Sequence, residues 1–467
     1  MENSGKRGSF RGSLGFVLAA AGSAVGLGNI WRFPYLAARD GGGLFLVIYL
    51  VLAVTFGYTL LTTEVAIGRK TRQSPLTAYG RLHKKSGWIG VLASIVPFLI
   101  MPYYCAIGGW VMKYFVAFLT GHGAEAAEDG YFTGFITEKT EPIVYTFIFL
   151  LICAVIIFFG VSKGIEGSSK IIMPILLVLV LGIAIYSLTI SGTRPDGTTV
   201  TGMEGMKVYV VPNFEGMTVG KFCYVLMDAL GQLFFSLSVA MGIMVAYGSY
   251  VPDDANLVKS INRIEIFDTV VAFLAGVMII PGIYVFQGTE GMAKGPSLMF
   301  VSLPKVFQAM GKIGNVIGTL FFAMVLFAAI TSAMSILEAV VSGLIDKFHW
   351  NRGKATWIEA AAAMIIGVIV CLGYNVLYFE VKLPNGNTAQ VLDILDYVTN
   401  NLLMPIIAIA TCILIGWILK PKTVIDEATK NGEKFGRKRL FIVMIKYAAP
   451  ALLLILLLMS SGVIKSE

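Results

Sequence analysis

Two stretches of this chain put glycine and small polar residues where an apolar helix normally carries neither. Gly22-Ser-Ala-Val-Gly26-Leu-Gly28-Asn29 lies inside one hydrophobic run, and Gly231-Gln232-Leu-Phe-Phe-Ser236-Leu-Ser238-Val-Ala-Met-Gly242 lies inside another, at the corresponding place in the second half. Glycine weakens a helix interior, so each stretch marks either unusually close packing on a neighbour or an interruption. Their recurrence in both halves favours interruption, since paired breaks point to a binding site near the bilayer midplane. Unwound backbone in lipid must find partners outside its own helix, because each bare group costs several kcal/mol. Freed carbonyls suit a hard cation and half-helix N-termini suit a carboxylate, so a zwitterion with sodium fits both breaks at once. An amino acid is the obvious zwitterion.

The elements that hold these stretches are read from composition. Of 467 residues, 57% are hydrophobic and 14% charged, with a mean hydropathy of +0.79, more apolar content than one water-soluble core can bury. Uncharged runs long enough to cross a hydrocarbon layer of about 30 Å recur along the chain, and strand-type alternation is not evident. Eleven helical spans are expected at 13–37, 43–66, 88–119, 143–160, 170–190, 221–250, 264–287, 313–346, 356–378, 391–419 and 439–461. The third and eighth exceed the bilayer thickness, which predicts tilt or projection into water. Residues 288–311, with Pro296 and Pro304, read as a structured external loop. The formal charge of +8 comes from clusters in alternate loops, such as Lys84/Lys85 and Lys420 through Arg439. The positive-inside rule therefore sets the N-terminus in the cytoplasm and, with an odd span count, the C-terminus outside. A plasma-membrane, multi-pass location follows, and nucleic acid is not an expected partner. The polar start, Met1 to Gly12, leads into a first span that contains Asn29 and Arg32, and this does not read as a cleaved signal.

The residues resemble the neurotransmitter:sodium symporters, a family with the leucine-transporter fold, over nearly the whole chain. The resemblance rests on Ala24-Val-Gly-Leu-Gly-Asn29-Ile-Trp-Arg32-Phe-Pro34, on Gly41-Gly-Gly43, on Gly231-Gln-Leu-Phe-Phe-Ser236-Leu-Ser238 and on Thr331-Ser332, all in the family's order. It implies an all-α integral membrane protein forming a single polytopic domain over 1–467. Two inverted five-helix repeats, 13–190 and 221–419, carry broken helices 1 and 6, and an eleventh helix follows at 439–461. The implied activity is sodium-coupled symport of an amino acid by alternating access.

Carried over onto this sequence, the resemblance implies two sodium sites. One uses the Ala24 carbonyl, Asn29, Ser236, Asp268 and the substrate carboxylate; the other uses the Gly22, Val25 and Ala328 carbonyls with Thr331 and Ser332. For the two hydroxyls the ordinary alternative is a bond back to the preceding turn. In chloride-dependent relatives the position of Asp268 is asparagine. Tyr49, Gln232 and Ser236 match other chloride-site positions, while Ala272 stands where those relatives have serine, so no chloride requirement is expected. An intramembrane carboxylate is costly and functional by default, and here a proton could exchange on Asp268; pairing with Arg263 is its structural alternative.

The implied substrate pocket comprises Ala24, Leu27, Gly28, Ile100, Tyr104, Phe235, Ser236, Ser238, Met241, Ser332 and Ile336, with Tyr104 donating to the substrate carboxylate. Carriers of monoamines place aspartate at the position of Gly26, so glycine there argues for an amino acid, and the apolar lining argues for a hydrophobic or aromatic side chain. Arg32 and Asp396 are the implied external gate; Arg7, Phe10, Tyr250 and Asp346 are the implied cytoplasmic gate, and plain surface charge is their alternative. Glu64 resembles a carboxylate supporting the broken first helix. Gly164 and Pro174 weaken the start of the fifth span, where unwinding could admit water to the inner ion site.

Two other readings stand beside symport: a sodium-independent exchanger of the same fold, and a substrate-sensing receptor with the same pocket. An enzyme is not expected, because His83, His122 and His349 are scattered outside the apolar runs. Cys105, Cys153, Cys223, Cys371 and Cys412 have no metal or redox spacing and read as packing residues.

Overall fold

The computed structural model describes residues 8–193, 197–292 and 297–464. All eleven expected spans are helical. Nine helices among the described residues are long and apolar enough to cross a membrane: Gly43–Thr71, Lys84–Leu119, Glu141–Phe158, Val161–Thr189, Leu257–Thr289, Lys312–Phe348, Arg352–Leu372, Val391–Ile418 and Lys438–Ser460. The first span is a tenth, made of Ser13–Ala24 and Gly28–Arg39 bent by 52° across the break. The sixth is split into Val219–Ser236 and Ile243–Ser249. Lys221 and Asp228 in its longer piece, and the shortness of the other, keep either from passing alone as a span.

The long third and eighth spans pack along each other, and the first span sits between the fifth, seventh and eighth. The sixth leans on the second: its inner piece lies so close that a Cβ on Gly248 would meet the Val65 carbonyl, and one on Gly68 would meet Val245. Glycine pairs of this kind let helix backbones touch in lipid, where van der Waals packing replaces the hydrophobic effect between helices. The opposite faces are apolar and open. On the fifth span Ile171, Val178 and Ile185, a helical stripe, are each exposed and face outward.

The fifth span starts earlier than its apolar run suggests, at Val161, directly after Gly160 with φ +84°. No unwinding occurs at Gly164. That residue sits in a helical turn, and a Cβ there would collide with the Ile156 carbonyl, so glycine serves close packing. The described parts of the 288–311 segment, 288–292 and 297–311, are ordered, with a kink at Gly288 and short helices Leu298–Ser302 and Leu303–Ala309, while Pro296 lies outside the described residues. Tyr114 on the third span donates to the Phe300 carbonyl at 2.7 Å, which fixes this segment over one end of the bundle.

Candidate functional site

Both glycine-rich stretches are breaks. In the first span the helical ladder ends at Ala24, Val25 adopts φ −78° and ψ 82°, and Gly26 donates to the Ala24 carbonyl at 3.0 Å. In the sixth, Ser238, Ala240 and Gly242 all have positive φ, at 52°, 62° and 73°. Two non-glycine residues held left-handed within five positions cost free energy that the surroundings must offset. The breaks touch: Ser238 Oγ donates to the Ser23 carbonyl at 3.1 Å, and the two hydroxyls are also 3.1 Å apart. Glu64 on the second span accepts the Ala240 N–H at 2.6 Å. The sequence pointed Glu64 at the first helix; its hydrogen bond goes to the sixth, where a left-handed residue frees a backbone donor.

Above this junction four polar side chains form one buried cluster. Asn29 Nδ2 donates to Asp268 Oδ1 at 2.7 Å, and Ser236 Oγ lies 2.8 and 3.0 Å from the two Asp268 oxygens. Ser236 Oγ is also 3.0 Å from Asn29 Oδ1, and Tyr49 OH is 3.1 Å from Ser236 Oγ and 3.4 Å from Asp268 Oδ2. Gln232 Nε2 donates to the Gly28 carbonyl at 3.0 Å, bracing the turn that presents Asn29. Asp268 is fully buried and Arg263 is exposed on the same helix, so the alternative ion pair between them does not form.

A second oxygen cluster joins the first and eighth spans. Ser332 Oγ reaches the Ser23 carbonyl at 3.0 Å and the Gly22 carbonyl at 3.5 Å, whereas Thr331 Oγ1 bonds back to Phe327 and Ala328 at 3.1 and 3.0 Å. Back-bonding thus describes Thr331 but not Ser332. A Cβ on Gly22 would lie 3.3 Å from the Thr331 Cβ, so these residues face each other. Ala328, Thr331, Ser332 and Gly22 therefore converge, and Val25 closes the same turn. Oxygen donors of this kind select hard cations.

Between the clusters lies a cavity lined by Ser23, Ala24, Gly26, Gly28, Asn29, Ile100, Tyr104, Phe235, Ser238, Met241, Ser332 and Ile336. Two residues expected there do not line it. Leu27 is buried elsewhere and contributes its N–H toward Tyr104 OH at 3.5 Å, and the Ser236 hydroxyl turns into the Asp268 cluster. Ser23, Gly26 and Asn29 line it in addition; the polar break itself was their signal. The open volume is ≈ 20 Å³, about enough for one water. Phe235 packs against Gly28, where any Cβ would collide with the ring, and separates this cavity from a vestibule of ≈ 330 Å³. A larger guest must displace that ring.

Arg32 and Asp396 both line the vestibule but are not within 4.0 Å of each other. Asp396 is held instead by Tyr103 OH at 3.2 Å and Asn400 Nδ2 at 2.6 Å, so the expected outer pair is apart here. The opposite end is shut. Phe10 donates its N–H to the Tyr250 carbonyl at 3.1 Å and packs edge-on against Tyr247 and Tyr250. Tyr250 OH donates to Glu338 at 2.6 Å, and Arg352 binds both Glu338 oxygens at 2.7 and 2.9 Å. Asp346 accepts the Ser74 N–H at 2.6 Å. Arg7 lies outside the described residues. Glu338 and Arg352 escaped the sequence reading, although a carboxylate deep in an apolar span is itself a signal.

Residues 7–131 and 132–467 match the Sodium:neurotransmitter symporter family. The chain is 33% identical over 465 residues to the sodium-dependent transporter YhdH of Bacillus subtilis, covering 97% of each chain. It is 26% identical over 472 residues to the human sodium- and chloride-dependent GABA transporter 2, covering 90% of this chain and 75% of that one. Among solved structures it superposes on the crystal structure of MhsT in complex with L-phenylalanine with a TM-score of 0.85 and 32% identity, covering 98% of this chain and 100% of that one.

Proposed function

The chain belongs to the sodium:neurotransmitter symporter family and has the leucine-transporter fold, and on that premise we propose that it carries a hydrophobic or aromatic L-amino acid inward with sodium, independently of chloride. That it is a membrane transporter and not an enzyme follows from the family. The observation that carries the finer reading is the buried Asn29, Ser236 and Asp268 cluster beside a mainly apolar cavity that has Gly26 in its wall. A carboxylate fixed 2.7 Å from Asn29 supplies, inside the protein, the negative charge that a chloride ion otherwise brings to a sodium site. Gly26 leaves the room and the charge balance for a substrate that brings its own carboxylate. Ile100, Phe235, Met241 and Ile336 offer an apolar side chain its lining, and the ring in the MhsT complex with L-phenylalanine fits the same chemistry.

Two sodium ions bind as co-substrates, the second among Gly22, Val25, Ala328, Thr331 and Ser332. The repeats run 13–190 and 221–419, with the N-terminus cytoplasmic. The closed Phe10, Tyr250, Glu338 and Arg352 end is then the cytoplasmic gate, and the vestibule beneath Arg32 and Asp396 opens outside. Transport alternates between these two ends as the broken spans rock around the cavity. The test is uptake of labelled L-amino acids into proteoliposomes, with and without an inward sodium gradient, in chloride and in gluconate. Sodium-driven uptake of apolar amino acids, equal in both anions, is the expected result. Uptake without sodium would instead mean exchange, binding without uptake would mean sensing, and loss in gluconate would remove the role given to Asp268.

A further inference from the structure

A groove of ≈ 550 Å³ runs between the start of the third span and the tenth and eleventh spans, away from the transport cavity. Its length is aliphatic, with Ile409, Ile413, Leu454 and Leu457 on its walls, and its one polar end carries His83 and Lys85. Trp88 lines the groove half exposed, and aromatic side chains of this kind favour membrane interfaces. The charge at that end is uncompensated: among the described residues no carboxylate lies within 4.0 Å of Lys84 or Lys85, both exposed, nor of Lys420, two residues past the groove residue Ile418. Among the described residues, Lys70, Arg81, Lys438 and Arg439 likewise lack a carboxylate within 4.0 Å, but none of them lines the groove. Arg69, Arg72, Lys430 and Arg437, also on this side, each have a carboxylate partner.

An apolar channel ending in unpaired lysines is complementary to one kind of molecule in a membrane, an amphiphile with an anionic head. We infer that this groove binds an anionic phospholipid, with an acyl chain along the tenth and eleventh spans and the phosphate against Lys84 and Lys85. Basic pockets between spans at a bilayer surface attract anionic headgroups by roughly fivefold per lysine. The inference rests on the chain being membrane-embedded, not on its substrate, sodium coupling or orientation, so its failure and theirs are separable.

The test is native mass spectrometry of the full-length protein released from nanodiscs of equal phosphatidylglycerol and phosphatidylcholine. Wild type should retain one phosphatidylglycerol in preference to phosphatidylcholine. Lys84→Gln with Lys85→Gln should cut that preference by ~25-fold, the product of two fivefold losses. Ala410→Trp, which fills the groove, should lose retention of both lipids. Equal retention of the two lipids by wild type, or a preference unchanged in the double lysine variant, overturns the inference, as does a second copy of the chain covering the groove in place of lipid. The exposed lysine substitutions keep the test valid if the tryptophan variant does not fold.

Discussion

Glu64 Oε1 accepts the Ala240 N–H at 2.6 Å, and through this bond the second span holds the break of the sixth in its left-handed conformation. The donor exists because Ala240 has left the helix, and the carboxylate is buried where water cannot replace it. Removing the acceptor strands a buried N–H at a cost of about 1–3 kcal/mol. We predict that Glu64→Ala lowers substrate affinity about tenfold and reduces thermal stability, while Glu64→Gln, which keeps a carbonyl acceptor, retains most of both. Equilibrium binding of whichever labelled amino acid the uptake panel identifies, and thermal unfolding in detergent, check this. Equal effects of the two substitutions would sink the idea.

Asp268 is the sole carboxylate in its cluster, bonded to Asn29, Ser236 and Tyr49. Asparagine at this position keeps the shape and loses the charge. Asp268→Asn is therefore expected to cut uptake at low sodium at least tenfold or to make uptake respond to chloride. Initial rates in chloride and gluconate across a sodium series measure it, and a variant indistinguishable from wild type in both anions excludes the charge-substitution reading.

The hydroxyls of Thr331 and Ser332 are asymmetric, one bonded to its own helix and the other crossing to Ser23 and Gly22. If both face a common ion, replacing both with alanine should raise the sodium concentration for half-maximal uptake severalfold, with Ser332→Ala the more harmful single change because it also unlinks the first and eighth spans. An unchanged sodium dependence in the double variant removes the second ion site.

Much of this was legible in the residues. Span number and the two breaks were readable because lipid forbids unsatisfied backbone, so glycine and polar residues inside an apolar run stand out. What stayed hidden depends on direction. Nothing in the type or spacing of Glu64 says which broken helix it serves, and Ser236, expected in both the ion site and the pocket, joins only the ion cluster because its hydroxyl bonds Asp268. Arg32 and Asp396 share the vestibule without touching, a matter of conformation that sequence does not encode. The Glu338 and Arg352 lock was missed because its members lie fourteen residues apart on different spans, although the buried Glu338 had announced a partner.

Gly26 gives a steric prediction. A Cβ there would come within 2.5 Å of Ser332 Oγ and 3.2 Å of Tyr104 OH, the two hydroxyls that flank the first break. Gly26→Ala must displace one of them, so substrate affinity should fall at least tenfold with little loss of folded protein, since the added methyl projects into the cavity. Binding isotherms beside size-exclusion profiles decide it; unimpaired binding would mean that Tyr104 and Ser332 do not hold the substrate.

Away from the cavity, Arg69 at the end of the second span is fully buried against Glu427, which lies on the short helix Lys422–Ala428 between the last two spans. Its guanidinium also donates to the Ala255 carbonyl at 2.8 Å and to the Glu427 carbonyl, so one side chain ties three segments together. Nearby, Lys430 and Arg72 hold the exposed Asp253 carboxyl below its usual range, but solvent screens that link. Breaking a buried pair by deleting one partner leaves an uncompensated charge and costs about 3–5 kcal/mol, whereas replacing both with apolar residues is often near neutral. We predict that Arg69→Met strongly lowers the unfolding midpoint, that Asp253→Asn barely moves it, and that adding Glu427→Leu to Arg69→Met restores most of the loss. A double variant no more stable than Arg69→Met alone would show that the arginine acts through its backbone carbonyl bonds, and that the helix it anchors is held by the chain on either side rather than by the ion pair.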